Sequence, residues 1–439
     1  MPKRERKTTL VRFSIAAAIL GATACGSDDG GITPPPPPPP PAEISIQGVP
    51  AKDSVLHQFG LDLFVDVVGS LPFAGCSLSV DGTVASTCGS GERPYFLTTQ
   101  VLAAGTHSAV LTYSVVDSTG TKSIDSAFTF VTAAPASQPY ATLMFDPLPG
   151  DVSAVANYMN DSGVVVGESV ASDGSTRPVR WVDGQVEQLA MSTSGSATAT
   201  AVNARGDIVG SLYSGSDTLA VIWPVGDTAQ NLGAIGRPYR INNARQILLN
   251  DRYDVAIYDF SAKTRTVLET GDVPYEAAGT DMNEAGQVIG IRNPAPFDSW
   301  LAFQHGSVAL PEMHTGPVTH SRDMPWALND SGEVVEALND WGTFGAGSSY
   351  VSLNQYFGNI NDSRANTVSV NNHVEIAAVG VDSSLLVWRK GSAGTKRAGV
   401  DPVWKFIEVM RLTDRGAILV HALNSVTGET RSMLLTPQS

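Results

Sequence analysis

The side chains that could carry chemistry in this 439-residue chain are few and poorly spaced for it. His305, His314 and His320 cluster, but separations of 9 and 6 residues fit no metal pattern and no His-x-x-x-His pair occurs. They read as loop histidines facing solvent, with a metal site as the alternative. Asn250, Asp251, Asp254 and Asp259 make an acidic stretch. A calcium loop needs its oxygens in D-x-[DN]-x-[DN]-G order, which is missing, so a solvated hairpin is the simpler reading. No Gly-x-Ser-x-Gly elbow is present, so a hydrolase triad of that type has no support. Trp300, Trp326, Trp341 and Trp404 could stack on sugar rings, although packing between sheets is favoured. No catalytic residue, metal ligand or cofactor is therefore expected.

Composition narrows the field further. There are 28 basic and 43 acidic residues, a net charge of −15, so phosphate-backbone binding and the counterion release that drives it are unfavoured. The chain is 42% hydrophobic and only 16% charged, too apolar for a largely disordered protein. No apolar run reaches the roughly 18–20 residues a membrane-spanning helix needs.

Residues 1–24 read as an export leader. Lys3, Arg4, Arg6, Lys7 and Arg12 form a basic start, and 13–24 (FSIAAAILGATA) is an apolar stretch too short to span a bilayer. It ends Ala22-Thr23-Ala24-Cys25, which resembles a bacterial lipoprotein signal; the resemblance implies that Cys25 is lipidated and becomes the first residue. Ala22 stands where that family usually has Leu, and Ala22-x-Ala24 also suits plain secretion. Loss of 1–24, which carry five basic and one acidic side chain, takes the net charge from −15 to −19. Residues 25–42 form a tether whose eight prolines, Pro34 to Pro41, favour a stiff polyproline II spacer of roughly 25 Å. Of the three cysteines, Cys76 and Cys88 remain as an even pair in an exported chain, which favours a disulfide.

Residues 43–133 alternate short apolar runs with turn residues and show no helical period, which predicts a small β-sandwich. The segment resembles bacterial immunoglobulin-like modules, which serve as spacers or adhesive domains. Residues 134–139, containing Pro135 and Pro139, read as a linker.

Residues 140–439 repeat. An apolar residue followed by Asn and a small turn recurs with its anchor at Asn160, Asn203, Asn242, Asn283, Asn329, Asn371 and, degraded, Thr413. The intervals are 43, 39, 41, 46, 42 and 42 residues. Asn, Asp and Gly tolerate positive φ, and an Asx side chain bonds its own backbone, so each anchor is expected to close a hairpin. A β run follows every anchor, and a bulky residue comes 16 to 21 positions later: Trp181, Trp223, Tyr258, Phe303, Tyr350, Trp388 and Leu434. Four short strands per repeat and no helix imply antiparallel sheets stacked about an axis. The expected fold is all-β, a seven-bladed β-propeller preceded by the immunoglobulin-like β-sandwich. The seventh copy lacks a last strand near Leu435, and the spare strand at 140–145 is expected to supply it.

The repeats resemble the HAF family of extracellular repeats, most closely at 160–167 (NDSGVVVG), 203–210 (NARGDIVG) and 283–290 (NEAGQVIG). The resemblance implies an exported propeller and no particular chemistry. Ser172 to Ser175 is similar to the Asp-box of sialidases, but adjacent Asp173 and Gly174 break that spacing. The expected function is a non-catalytic recognition module at the outer membrane or cell surface, otherwise secreted or periplasmic. Its partners would be the membrane, through the lipid, and a glycan, peptide or protein, with no nucleic acid. A structural envelope scaffold and an exported propeller enzyme, such as a glycosidase or lyase, are the alternatives.

Overall fold

The computed structural model describes residues 11–14 and, with gaps, 43–438; the longer gaps are 51–54, 57–60, 69–72, 90–94, 272–276, 293–300, 307–323 and 358–366. The chain divides into two compact units, Met1–Ala133 and Ala134–Ser439. Both are built of strands; the one described helical turn is Asn354–Phe357.

The first unit contains Val11–Ser14 (β1), Glu43–Gln47 (β2), Val55–Leu56 (β3), Asp62–Val68 (β4), Phe73–Val80 (β5), Thr83–Cys88 (β6), Tyr95–Thr98 (β7), Gly105–Asp117 (β8) and Gly120–Thr132 (β9). They form two sheets, ordered β1-β2-β4-β7 and β3-β9-β8-β5-β6, antiparallel except for the β3–β9 pair. Alternate residues point inward, as a half-buried strand requires. On β5 these are Cys76, Leu78 and Val80, on β8 Ala109, Leu111, Tyr113 and Val115, and on β4 Leu63 and Val65. Cys76 and Cys88 are direct partners across β5 and β6 and are joined by a disulfide. The strand β1, inside the expected leader, pairs with β2.

In the second unit, Ala136–Met144 (β10) is followed by Ser153–Met159 (β11), Val165–Val170 (β12), Thr176–Val182 (β13) and Gln185–Gln188 (β14). The last four make one antiparallel meander. The same meander recurs at 196–233, 237–270, 277–305 (three described strands), 324–352 and 368–399. A final three strands, at 404–437, take their fourth from β10: residues 140–144 pair antiparallel with 433–437. Residues 136–139 run parallel to 396–399. The stretch 134–139 that reads as a linker is therefore strand from Ala136 onward, because both flanking edges had free backbone groups to pair.

Neighbouring sheets bury their faces against each other, and the succession closes on itself in a propeller-like ring. Leu419, in the last meander, shares a core with Ala156, Met159, Val165 and Trp181 of the first. The Ala156 N–H donates to Ser432 Oγ at 3.0 Å, and the His421 ring reaches Ala156 O at 2.9 Å. The innermost strands carry β-bulges at matching places, including Ala156/Tyr158 and Ala199/Ala201. Beneath them lie Gly167 and Gly210, where a Cβ would sit 1.9 Å from a backbone oxygen of the bulged strand, so no side chain fits.

The bulky positions are only partly in register. Trp181, Trp223, Tyr258 and Trp388 occupy equivalent sites opposite Val165, Ile208, Ile247 and Ile376. Trp181 and Trp223 donate their indole N–H groups to Asp146 O (2.9 Å) and Ala190 O (2.7 Å), pinning the chain that enters their own sheet. In the fourth, fifth and seventh copies the equivalent residues are His305, Gly345 and Leu435, and Tyr350 lies one strand further on. Segments of unequal length before these strands displaced the spacing.

Candidate functional site: the axial cavity

The recurring turns gather at one end of the ring axis. In each, the backbone of anchor and anchor plus four bond each other, as in Asn160 N–H to Val164 O at 3.1 Å. The anchor Oδ1 caps the N–H groups inside the turn: Asn160 accepts from Ser162 (3.1 Å) and Val164 (3.0 Å), and Asn283 from Ala285 (3.2 Å) and Gln287 (3.0 Å). The residue three past the anchor is left-handed in every copy. Five are glycines, Gly163, Gly206, Gly286, Gly332 and Gly416; the others are Arg245 (φ 61°) and Val374 (φ 59°).

This much is the local role expected of the anchors. The amide end of the same side chains has a second, non-local role. Nδ2 of Asn160 donates to Asn203 O (2.9 Å), Asn203 to Asn242 O (3.0 Å), Asn283 to Asn329 O (3.1 Å) and Asn371 to Thr413 O (2.9 Å). Asn242 makes the corresponding contact to Glu284 O at 3.5 Å. Asn160, Asn203, Asn242, Asn283 and Asn371 thus rivet their sheets to the next. An acceptor four residues on holds the amide in place: Asp207, Gln246, Gln287, Glu333 and Glu375, at 2.6–3.1 Å. That Asn-x-x-x-(Asp/Gln/Glu) spacing is visible in the sequence and is the signal that a purely local reading of the turns misses.

The residues after six of the seven anchors form a second belt, which Ala204 interrupts. Asp161 Oδ1 accepts from Asp414 N–H (2.9 Å), Asp414 Oδ1 from Asn372 N–H (2.8 Å), and Asn372 Oδ1 from Asp330 N–H (2.9 Å). Asp330 Oδ1 in turn accepts from Glu284 N–H (2.9 Å), and Glu284 Oε2 from Asn243 N–H (2.8 Å). Burial, and then the neighbouring Asp330 charge, push the Glu284 carboxyl above its usual range.

Between these belts lies a cavity of about 60 Å3, lined by Asn160, Asn203, Asn242, Asn283 and Asn329 together with Asp161, Glu284 and Asp330. Tyr158, Arg240 and Arg411 also line it. Arg240 and Arg411 each stand two residues before an anchor position. Their guanidinium carbons lie 4.7 Å and 5.4 Å from the centroid of the Tyr158 ring. Arg240 pairs with Asp281, Nε to Oδ1 at 3.0 Å, and Asp281 Oδ2 also accepts the Leu328 N–H at 3.0 Å. Among the described residues Arg411 has no carboxylate at such a distance, and its Nε is sealed from solvent without an acceptor.

Asp207 is fully buried beside this region. Burial alone would raise its carboxyl, but a two-pronged bond from Arg245 (2.9 and 2.8 Å), the Val225 N–H and the Asn203 amide hold it below the usual range.

The remaining sequence candidates fall elsewhere. Cys25, His314, His320 and Trp300 lie outside the described residues. Asp251 and Asp254 face Arg265 at 3.6 and 3.3 Å, and Asp259 caps the N–H groups of Ser261 and Ala262, which accounts for the acidic stretch as a hairpin. Trp404 packs against the core of the last two meanders.

No family model matches the chain, and no curated protein matches it. Among solved structures, a chain of the mitotic checkpoint complex is 15% identical, covers 67% of this chain and 93% of that one, and has a TM-score of 0.44. YCF48 bound to D1 peptide is 12% identical, with coverage of 70% and 100% and a TM-score of 0.44. A quinonprotein alcohol dehydrogenase-like protein from Bacteroides thetaiotaomicron is 11% identical, with coverage of 89% and 97% and a TM-score of 0.29. Likenesses at this level carry no argument, and the fold rests on the strand pairing above.

Proposed function

We propose that the chain is an exported, non-catalytic recognition module, held at the cell envelope by lipid on Cys25 and engaging a glycan, peptide or protein through the outside of its ring. One observation carries the non-catalytic part. A propeller glycosidase or lyase would draw its acids from the axis, and here Asp161, Glu284, Asp330 and Asp414 each accept a neighbour's backbone N–H. Each of these carboxylates has an oxygen engaged in joining sheets, which speaks against the pair of free acids that a glycosidase needs.

Several features support the finer architecture. The anchors recur from Asn160 to Thr413, and the Asp414–Asp161 bond and β10 both join last to first, which favours a seven-bladed ring of HAF-type repeats. The strand order of the first unit, with β3 parallel to β9, favours an immunoglobulin-like module. The basic start, the short apolar run and Cys25 favour a lipoprotein, with the proline tract as its spacer. The test has two parts. Palmitate labelling is expected to mark the wild-type chain and not Cys25→Ser, with the wild type alone in the membrane fraction. A glycan and protein array probed with the soluble C25S chain is expected to return a ligand. Soluble, unlabelled wild-type protein would overturn the anchor, and a blank array would overturn the recognition role.

A further inference from the structure

The two arginines of the axial cavity point to a site distinct from the outer surface. Seven residues stand two before an anchor position and form one repeat-equivalent layer: Tyr158, Ala201, Arg240, Asp281, Ala327, Ser369 and Arg411; of these Tyr158, Arg240 and Arg411 line the cavity. The layer carries two positive charges and one negative. Asp281 is spent on Arg240 and on the Leu328 N–H. Among the described residues Arg411 makes no hydrogen bond or close ion pair; it stacks on the Tyr158 ring, and the charges of Asp281 and Asp161 act on it from farther away. Its Nε–H is buried without an acceptor, which is unfavourable, and the side chain lines the cavity. Such a group is retained where an acceptor arrives from outside.

The cavity itself restricts what that acceptor can be. A volume of about 60 Å3 suits a few waters or a carboxylate with one or two carbons better than a sugar ring or a peptide strand. The entrance is negative, with Asp161, Glu284 and Asp330 on the same lining as the arginines. A bare anion would be repelled at that rim. A bare cation would stop there and leave Arg411 unmet. A small molecule with a carboxylate at one end and an ammonium at the other satisfies both layers.

We propose that the axial cavity is a binding site for a small zwitterion of the α-amino-acid class, its carboxylate held by Arg411 and Arg240 and its ammonium by the rim carboxylates. The inference goes beyond the recognition role above, which concerns the outer surface and a larger ligand, so either can fail alone.

Glycine, acetate and methylammonium, each titrated to about 100 mM in low salt, are the probes, with calorimetry and thermal melting of the full chain as readouts. Glycine is expected to bind saturably, acetate about tenfold more weakly and methylammonium not at all. R411M is expected to abolish the glycine response while melting at or above the wild-type temperature, because an unpaired charge has been removed. Subtracting its response cancels any general solute effect. R411K, which keeps the charge and loses the fork, is expected to weaken glycine several-fold and decides the matter if R411M does not fold. E284Q is expected to move the preference from glycine toward acetate, a change that a merely structural role would not produce. No saturable glycine signal, an equal response in R411M or R411K, or indistinguishable glycine and acetate binding would overturn the proposal.

Discussion

Val374 and Arg245 share a left-handed backbone, yet replacing them with glycine is expected to act in opposite directions. Both stand where five other copies of the turn have glycine, at φ 59° and 61°. A left-handed L-residue costs about 1–2 kcal/mol. Glycine removes that strain but loses about 0.5–1 kcal/mol through the freedom it gains when unfolded. Val374 is half-buried and its lost contacts are small, so V374G should gain about 0.5–1 kcal/mol, or roughly 1–2 °C in a unit of this size. Arg245 offers the same relief, but its side chain is the fork on Asp207, whose own side chain is wholly buried. Breaking a buried pair from one side costs about 3–5 kcal/mol. R245G should therefore lose about 2–4.5 kcal/mol net. The pair's contribution also carries a pH signature. Asp207 is held below its ordinary 3.8, so the contribution is present above that value and fades as pH falls through the folded one. The R245G deficit should shrink in acid, while the V374G gain should not. G163A supplies the control: nothing lies within 4 Å of the added Cβ, so its expected loss of about 1 kcal/mol is backbone alone. Thermal and urea melts read by circular dichroism measure all three. Equal signs for V374G and R245G, or a pH-independent R245G deficit, would refute the reasoning.

Asn283→Ala removes two turn caps and the rivet to Asn329 O, and is expected to cost about 2–4 kcal/mol in a urea melt; a loss below about 1 kcal/mol would mean water replaces the rivet. Trp223→Phe forfeits a bond to Ala190 O and should cost about 1–2 kcal/mol, whereas Trp388→Phe should be nearly neutral, because the Trp388 N–H is buried without a partner. Equal losses in the two variants would contradict that contrast. In the first unit, burial opposes charging His107, but bonds to Asp81 Oδ2 (2.6 Å) and Ala103 O (2.9 Å) outweigh it and raise its pKa above the ordinary 6.5. The contribution is complete below 6.5 and lost as pH rises through the folded value, so a melting-temperature decline on the alkaline side should vanish in His107→Gln.

The repeat, the turn chemistry and the completing strand were legible because each is a local pattern. An apolar residue, Asn and a small turn announce themselves within five positions, and the strand at 140–144 is conspicuous as one too many before the first copy. The rivets were not legible, since Asn160 Nδ2 meets a carbonyl 43 residues away and only the closed ring brings the two together. Arg240 and Arg411 illustrate the same limit: they are far apart in sequence, and only the position two before an anchor places both beside Tyr158. The acceptors at Asp207, Gln246, Gln287, Glu333 and Glu375 fell between these cases, periodic on the page but without meaning until the amide they hold was seen. The bulky residues misled where segments of unequal length shifted the third strand, so that Gly345 takes the equivalent place in the fifth meander and Phe344 beside it is wholly buried.

The strand β10 gives the ring a mechanical property. The chain arriving from the first unit enters the ring as this strand, so tension on the N-terminal side is delivered straight to the clasp. Five of its residues are held against 433–437 and four more against 396–399, and these pairs meet the load first. Strand pairs loaded along their length resist together, whereas pairs loaded at one end open one by one.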